Sequence, residues 1–286
     1  MVGLAASSWG TWSLFLRGTK LPASSTSPIV LALIGLFALA FVRFEPARPV
    51  WSRTNLSLLA ALAGLDALNF LTFFAAMEQT TLAIAVLTHY LAPLVIAIAA
   101  PFIERERVPG ARGAAVLATG GLLLVLEPWH AAGGALIGGA LGATSAVAYA
   151  GVVFLSRRLV PRIGAVRTLS FHAFVAAGLL LPFTGMRALV AIPVEALGLL
   201  ALGALGPGAL AGLIFLRGLD RVGASRAAVL TFLEPLVAVA VGIFVWRERL
   251  TLNALVGALI VLGAGLFVAR RPSEAVLSSS GGSDSI

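Results

Sequence analysis

The amino-acid sequence predicts an all-α integral membrane protein with ten transmembrane helices, arranged as two five-helix inverted repeats. Three observations predict this fold class. Apolar residues make up 59% of the chain and charged residues only 11%, and the mean hydropathy is +1.02. Runs of apolar residues are long enough to cross a bilayer, and one stretch of sequence occurs twice. A soluble domain needs about 25% charged residues, so the composition excludes that class.

Ten apolar runs account for most of the chain, and nearly all of them reach the length of a membrane-spanning helix. The first run is short for a span, and the sequence leaves open whether the N-terminus is trimmed. No positive charge precedes this run and no clear cleavage site follows it, which favours a span over a removable signal peptide. The runs lie at about 2–16, 28–42, 56–77, 81–103, 111–126, 133–156, 165–184, 194–216, 223–245 and 251–269.

The polar segments between the runs are too short to form a separate soluble domain. Two of them, RGTKLPASSTSP at 17–28 and SRRLVPR at 156–162, are predicted loops. The Ser/Gly-rich C-terminal end has the composition of a disordered tail. The predicted division is one transmembrane domain at 1–271, with repeat one at about 1–128 and repeat two at about 133–271, and a tail at 272–286.

Basic residues predict the orientation of the helices. If both termini are cytoplasmic, most of the 20 Lys and Arg residues fall on the cytoplasmic side, as membrane proteins prefer. An even number of spans agrees with this orientation. The net charge of +8 does not predict a nucleic-acid partner, because basic residues stand singly or in pairs between apolar runs. The residues predicted to lie outside are Arg17, Lys20, Arg187, Arg247 and Arg249.

An internal repeat predicts the function class. AVLTHYLAPLV at 85–95 has a near twin in AVLTFLEPLV at 228–237, and the match continues from PFIERERV at 101–108 to IFVWRERL at 243–250. Each half holds five predicted helices, an odd number, so the second copy enters the membrane inverted. Inverted repeats typically bind substrate near the bilayer midplane and rock to alternate access. Transport is therefore the predicted function.

Several motifs carry a resemblance to a known family. They are SWGTW at 8–12 with LRG at 16–18, HYLAP at 89–93, ASRAAVLTFLEPLVAVAVG in the ninth helix, and the two RER triplets. With these motifs the chain resembles the EamA family of the drug/metabolite transporter superfamily, and within it the YddG-type aromatic amino acid exporters, which carry Asn where this chain has His89. The resemblance implies a secondary transporter in the bacterial cytoplasmic (inner) membrane that exports small amphipathic metabolites, including aromatic or large apolar amino acids.

Polar residues at membrane depth are the candidate substrate ligands, because such groups are costly unless they face protein or water. His89 and Tyr90 come just before Pro93, whose ring removes a backbone hydrogen bond and frees a carbonyl near residue 89. One interpretation is that both side chains donate hydrogen bonds to a substrate, with Phe232 of the twin stretch as an apolar wall. The alternative is that they tie a kinked helix to its neighbour.

Asp66 begins a second candidate group in the middle of the third helix. Asn69, Phe70, Phe73 and Met77 follow at helical spacing and share its face. A carboxylate beside aromatic rings suits the ammonium and ring of an amphipathic substrate. The alternative is that Asp66 is protonated or tied to a neighbouring helix.

Aromatic residues recur at matching depth in the two halves. Trp9 and Trp12 stand one turn apart on the first helix, as Ser145 and Tyr149 do on the sixth. They form a wall for flat ligands or, alternatively, anchor the protein at the membrane interface. The full predicted substrate-binding set is Trp9, Trp12, Asp66, Asn69, Phe70, His89, Tyr90, Tyr149, His172 and Phe232, with Glu234, Pro93 and Pro235 in gating or coupling.

Other recurrent residues are predicted to be structural. Tryptophans at span ends suit an interfacial belt, and glycines at four-residue spacing let helices approach closely. His172 also has a structural alternative, as a hydrogen-bonded core histidine. The belt residues are Trp51, Trp129 and Trp246, and the glycines are Gly134, Gly138, Gly142, Gly208 and Gly212.

The main alternative function is an intramembrane enzyme or lipid-modifying protein. The sequence has no H-E-x-x-H or G-x-S-x-G motif, and His89, His130 and His172 are widely separated, so we predict no catalytic residue, no metal and no cofactor. A receptor or scaffold does not require inverted symmetry. The expected partners are a small-molecule substrate, amino acids or related metabolites, and membrane lipid, with the chain a monomer or weak homodimer. Uniport, proton antiport and exchange all remain open.

Overall fold

Helices make up almost all of the protein in this computed structural model, which describes residues 1–21, 23–45, 49–80, 82–130, 135–184, 192–245, 247, 251–271 and 274–275. The first half contains α1 Val2–Trp9, α2 Trp12–Thr19, α3 Ala23–Leu39, α4 Arg53–Gln79, α5 Leu82–His89, α6 Ala92–Ile103 and α7 Ala111–Leu126. The second half contains α8 Ala135–Ile163, α9 Ala165–Thr184, α10 Val194–Gly203, α11 Ala211–Val222, α12 Ala224–Leu230, α13 Leu233–Phe244 and α14 Leu252–Ala269.

Short elements connect these helices. A π-helical segment, Ala204–Leu210, joins α10 to α11, and 3-10 turns lie at Val42–Phe44 and Pro128–His130. Two-residue strands at Glu106–Arg107 and Glu274–Ala275 pair antiparallel. The second strand lies in the predicted tail, whose other residues fall outside the described part of the chain, so the prediction of a disordered tail stays a prediction.

Six helical stretches are long and apolar enough to cross a membrane, and three shorter apolar helices accompany them. Large apolar side chains lie on the outer surface, as shown by Leu136, which is 87% exposed, and Phe102, which is 77% exposed. Lipid solvates such surfaces where water would not. The prediction of an all-α membrane protein is confirmed. The six stretches are Arg53–Gln79, Ile84–Ile103, Leu136–Ile163, Ala165–Thr184, Val194–Val222 and Ala224–Phe244.

The loop predicted at SRRLVPR is wrong, because α8 continues through it to Ile163. Leu159 and Ile163 are fully buried and pack against Leu59 and Leu62 of α4. The internal proline costs the helix one backbone hydrogen bond. Burial of four such side chains stabilises the longer helix by more than this cost. The charged residues of this segment therefore lie on the other faces of a helix that extends beyond its apolar run.

The loop predicted at RGTKLPASSTSP is also wrong over most of its length. Helix α2 continues to Thr19, and α3 begins at Ala23. Thr26 and Ser27 are buried within α3, and Pro28 lies inside the same helix. Small hydroxyl residues are common in loops, but they also let packed helices approach closely, which is how this segment uses them.

Three glutamates at helix ends bind the beginnings of helices that are distant in sequence. Glu45 accepts a hydrogen bond of 2.8 Å from the backbone N–H of Val166, at the start of α9. Glu104 accepts one of 3.3 Å from the backbone N–H of Ala224, at the start of α12. Glu127 accepts from side chains at the start of α14. Glu45 and Glu104 satisfy backbone N–H groups that have no partner within their own helix, and a carboxylate at this end favours the helix dipole. All three contacts join the two halves.

The most extensive contacts between helices are those of α4 with α8, α7 with α14 and α3 with α9, and each pair joins the two halves. Small residues make such approaches possible. A Cβ atom at Gly142 of α8 would overlap the side chain of Thr88 in α5, and one at Gly138 would overlap Thr80. These contacts agree with the predicted small-residue face on this helix, although Gly134 lies outside the described residues.

Candidate substrate site

Both twin stretches are interrupted helices. The first broken helix consists of α5 and α6, separated by a turn at Tyr90 and Leu91, and the second consists of α12 and α13, separated by a turn at Thr231 and Phe232. Pro93 and Pro235 are buried one or two residues into the helices that follow. Because proline cannot donate its backbone hydrogen bond, it favours an interruption at these places. The break predicted before Pro93 is present.

The two turns face each other across the molecule. The rings of Tyr90 and Phe232 have centroids 6.1 Å apart, and both side chains are buried in one apolar cluster. Tyr90 also lies near Glu234, close enough for the two side chains to interact. The residues that differ between the twin stretches are therefore in contact with each other.

A chain of three hydrogen-bonded side chains connects α4, α8 and α5. The hydroxyl of Ser145 donates to Oδ1 of Asn69 at 2.8 Å, and Nδ1 of His89 lies 2.8 Å from the same hydroxyl oxygen. Because Ser145 has a single hydroxyl proton, His89 must donate from Nδ1. A neutral His89 ring then carries its lone pair on Nε2, which can accept a hydrogen bond from a ligand.

Aromatic rings surround this polar chain on several sides. Phe73 of α4 has its ring centroid 4.6 Å from that of His89, Tyr90 lies at 5.6 Å edge-on, and Tyr149 of α8 lies at 5.7 Å. His89 and Tyr149 are only partly buried, whereas Asn69 and Ser145 are buried. Polar acceptors and donors thus lie within an aromatic enclosure made by both halves.

Asp66 and His172 form a second polar pair next to this chain. Nε2 of His172 lies 3.4 Å from Oδ2 of Asp66, and both side chains are buried. Nδ1 of His172 donates to the backbone carbonyl of Thr168 at 2.6 Å. Asp66 stands one helical turn before Asn69 on α4, so the pair and the polar chain occupy neighbouring positions on one helix face.

The tryptophans of the first helix differ from the prediction. Trp9 and Trp12 do not share one helix, because α1 ends at Trp9 and α2 begins at Trp12. Gly10, one of the two residues between them, lies close to backbone atoms of α13, where a Cβ would lie 2.5 Å from the carbonyl oxygen of Glu234. This close approach coincides with the turn that separates α1 from α2.

The remaining predicted aromatic residues contact other aromatic rings, one in a different helix and two in their own helix. Trp9 packs against Phe215 of α11 with centroids 4.8 Å apart, and Trp12 packs edge-on against Phe15 at 6.5 Å. Phe70 packs against Phe74 at 5.6 Å. The part of these residues in substrate binding stays a prediction. Trp129 is exposed as a belt residue would be, and Trp246 lies outside the described residues.

Ser145 is the residue that sequence reasoning placed beside Tyr149 without a role. Its importance comes from bridging Asn69 and His89, which are on different helices. The only sequence feature that marks Ser145 is its position inside an apolar run. Serines at such positions are common in membrane helices, so this feature does not single it out. Among the described residues, no group of three or more His, Asp or Glu side chains is close enough to hold a metal ion.

In the part of the chain that the structure describes, the broken helices pack more closely at one end than at the other. Helix α6 packs against α12, and the same end carries the ion pair between Glu104 and Arg157 of α8. Within the described chain, α5 and α13 at the opposite end share no comparable packing. Among the described residues, the two broken helices therefore pack together only at the α6–α12 end.

Comparisons with known proteins agree with this architecture. The model of the EamA-like transporter family matches residues 136–270. An uncharacterized transporter of Archaeoglobus fulgidus is 32% identical over 94% of this chain and 94% of its own length. The uncharacterized transporter YcbK of Bacillus subtilis is 30% identical over 48% of this chain and 47% of its own. A crystal structure 20% identical in sequence shares the fold, with a TM-score of 0.80 over 94% of this chain and 96% of that chain. The chain belongs to the EamA-like transporter family of the drug/metabolite transporter superfamily.

Proposed function

We propose that this transporter exports small amphipathic amino acids, including aromatic and large apolar ones, by alternating access across the cytoplasmic membrane. The observation that carries the proposal is the hydrogen-bonded chain of Asn69, Ser145 and His89 within an aromatic enclosure at membrane depth. Burying such polar groups in a membrane protein is costly. A ligand that completes their hydrogen bonds recovers part of that cost.

An amphipathic amino acid matches the chemistry of this enclosure. Its ammonium can donate to the lone pair on Nε2 of His89, and the Asp66 carboxyl lies one turn away on α4. Its apolar side chain can lie against Phe73, Tyr90 and Tyr149, whose rings stack well with flat groups. This division of polar and apolar contacts favours large apolar amino acids over small hydrophilic ones.

Two five-helix inverted repeats are part of the proposal. The twin stretches both form broken helices, and their turns meet at the candidate site. The family model matches residues 136–270, which is the extent expected for the second repeat alone. An inverted pair of this kind can rock around a fixed site, which is the usual route to alternating access.

The unequal packing of the two ends supports alternating access. Under the inverted symmetry, the contact of α6 with α12 corresponds to one between α13 and α5. The first contact is formed and the second is not, within the described residues. An inverted repeat that is closed on one side and open on the other has this asymmetry. With cytoplasmic termini, the closed side is the cytoplasmic one.

The proposed orientation can be tested by reporter fusion. A reporter that is active only in the cytoplasm should give a signal when it is fused after Arg271, because the basic residues are concentrated on that side. Activity of a periplasmic reporter at the same position would contradict the orientation and would reverse the assignment of the closed side.

The transport proposal is tested by flux into proteoliposomes that contain this protein alone, with labelled L-phenylalanine as substrate and unlabelled amino acids as competitors. Ser145→Ala removes the bridging hydroxyl and should weaken affinity by roughly 5- to 150-fold, which corresponds to about 1–3 kcal/mol. Thr144→Ala is the matched control, because Thr144 is exposed and its hydroxyl bonds only its own helix at the Ala140 carbonyl. If phenylalanine, tyrosine and leucine all fail to give saturable flux above protein-free liposomes, the proposal is wrong.

A further inference from the structure

One corner of the molecule gathers basic residues at helix ends. Arg226, near the start of α12, donates a hydrogen bond to the backbone carbonyl of Arg271, just past the end of α14. The strands Glu106–Arg107 and Glu274–Ala275 pair with each other, so the loop between α6 and α7 joins the chain that follows α14. Helix α6 also packs against α12. The ends of four helices, α6, α7, α12 and α14, therefore meet at this corner.

The corner carries a net positive charge. Its three segments, 105–112, 224–226 and 270–275, contain six arginines and two glutamates, which gives a formal charge of +4. Glu104, which precedes the first segment, is bound to Arg157 of α8. A local excess of positive charge attracts anions. The six arginines are Arg105, Arg107, Arg112, Arg226, Arg270 and Arg271.

Three of these arginines have guanidinium donors without an acidic partner. Among the residues that the structure describes, no carboxylate pairs with Arg112, Arg226 or Arg271. Nε of Arg226 is buried and has no hydrogen-bond acceptor, and a buried N–H group without an acceptor is unfavourable. Arg112 and Arg271 are exposed. A phosphate group, with several acceptor oxygens, matches donors of this kind.

Exposed aromatic rings lie against two of the guanidinium groups. The guanidinium carbon of Arg271 is 4.7 Å from the ring centroid of Phe267, and that of Arg112 is 5.9 Å from the ring centroid of Phe102. Phe102 is 77% exposed and Phe267 is 42% exposed. Phe267 also lies beside the start of α7, where a Cβ at Gly110 would be 2.6 Å from its ring. On the outer surface of a membrane protein such rings face acyl chains, while arginines at helix ends extend toward the headgroups.

We propose that this corner binds an anionic phospholipid, with its phosphate beside Arg112, Arg226 and Arg271 and its acyl chains against Phe102 and Phe267. A soluble anion would use the charge alone, whereas a phospholipid matches both the guanidinium groups and the lipid-facing rings. Anionic lipids attract basic residues near the membrane surface. The bound lipid bridges helix ends from both halves of the chain. This inference goes beyond the proposed function and holds whichever substrate is carried.

The test counts bound lipids by native mass spectrometry of the purified full chain in a neutral detergent. Dioleoyl phosphatidylglycerol is the probe, and dioleoyl phosphatidylcholine, which has the same acyl chains and no net charge, is the comparison. The parent should bind a single phosphatidylglycerol more tightly than any phosphatidylcholine. Arg112→Gln combined with Arg271→Gln should weaken this binding roughly 30-fold, or about 2 kcal/mol, because each arginine near an anionic lipid surface contributes about 1 kcal/mol.

A double variant outside the corner is the matched control. Arg53 begins α4 and Arg158 adjoins Arg157 in α8, and both Arg53 and Arg158 are exposed. Arg53→Gln combined with Arg158→Gln removes the same charge without changing the corner, so this variant should bind phosphatidylglycerol as the parent does. Without lipid, the parent and both double variants should unfold at similar temperatures, since all four substituted arginines are exposed. Phosphatidylglycerol should then raise the unfolding temperature least in the Arg112 and Arg271 variant.

Three results would overturn the lipid site. Equal affinity of the parent for phosphatidylglycerol and phosphatidylcholine would show that the corner does not select an anionic headgroup. Equal weakening in the two double variants would mean that the lipid responds to the basic surface as a whole. Displacement of the lipid by millimolar inorganic phosphate would identify a site for soluble anions instead. Amino-acid flux is measured separately in proteoliposomes, so each of these results leaves the proposed function standing.

Discussion

The first broken helix, α5 with α6, and the second, α12 with α13, use the same interruption for different chemistry. In the first, the hydroxyl of Thr88 bonds to the carbonyl oxygens of Ile84 at 2.7 Å and Ala85 at 3.2 Å, and in the second that of Thr231 donates to the carbonyl of Ala228 at 2.7 Å. These are the same positions of the twin sequences. A buried proline follows in both. The shared residues thus bend the two helices alike.

The residues that differ lie between the threonine and the proline. The first stretch has one residue more in this interval. Its His89 is the last residue of α5 and forms a hydrogen bond with Ser145 of α8. In the second stretch Phe232 lies in the turn itself and is almost completely buried. Under the proposed function, His89 is a polar ligand and Phe232 an apolar wall, an arrangement that suits a substrate with unlike ends.

A glycine of a neighbouring helix packs closely against each broken helix. Gly142 of α8 contacts Thr88 in the first, and Gly10, between α1 and α2, contacts the backbone of α13 in the second. A Cβ at Gly142 would meet mainly a side chain, whereas one at Gly10 would meet the carbonyl of Glu234 and the N–H of Ala238. The two glycines contact different halves of the broken helices, since the counterpart of α5 is α12, and the contact of Gly10 is tighter against the backbone.

Exchanging the differing residues should produce the largest effect. His89→Phe removes the hydrogen bond to Ser145 and should weaken substrate affinity by roughly 5- to 150-fold, or about 1–3 kcal/mol. Phe232→His instead places a polar ring in an apolar cluster and should lower the unfolding temperature. Competition binding in proteoliposomes and thermal unfolding in detergent separate the two results. Equal affinities for His89→Phe and the parent would mean that the stretches differ for packing reasons.

Adding a methyl group to each glycine should destabilise both broken helices, and Gly10→Ala more than Gly142→Ala. Overpacking costs about 1–3 kcal/mol, and the Gly10 site must move backbone atoms to relieve it. Gly64→Ala on α4 is the control, since a Cβ there has nothing within 4 Å. The check is thermal unfolding of each purified variant. A Gly10→Ala protein as stable as Gly64→Ala would show that α1 does not hold the second break.

Breaking the ion pair at the closed end should loosen that end alone. Glu104→Gln removes the charge that binds Arg157 and the N-terminus of α12. We expect a shift of about 1 kcal/mol, or roughly fivefold in the population of the open end. The chain has no native cysteine, so maleimide reactivity of a single Ala224→Cys substitution reports opening. Glu127→Gln, which affects the other end, should leave that reactivity unchanged. If maleimide reactivity rises in both variants, the two ends do not open independently of each other.

The shared threonines should have the smallest and most nearly equal effects. Thr88→Val and Thr231→Val keep the side-chain shape and remove one hydroxyl that bonds to its own helix. Each change should cost about 0.5–1.5 kcal/mol, and the two values should agree if the breaks are equivalent. Thermal unfolding measures both. A difference as large as that between the two glycine variants would mean that only one break depends on its threonine.

Much of the fold follows from the chain itself. Apolar runs predicted the helices at 111–126 and 165–184 with the bounds that the structure has, because lipid requires long stretches without charge. The ends of α8 and α2 could not be predicted in this way. Their polar residues were interpreted as loops, although Leu159 and Ile163 continue a helix that is buried against α4.

The sequence by itself determined that this is an all-α membrane protein of the transporter class with a repeated stretch around His89 and Phe232, because composition, span length and repetition are local properties of the chain. Only the tertiary structure decided which polar groups meet. Asn69, Ser145 and His89 lie on three helices, and Asp66 finds His172 more than 100 residues away. Such pairings depend on how helices rotate and approach one another, and that is set by small residues such as Gly142 through packing that periodicity does not encode.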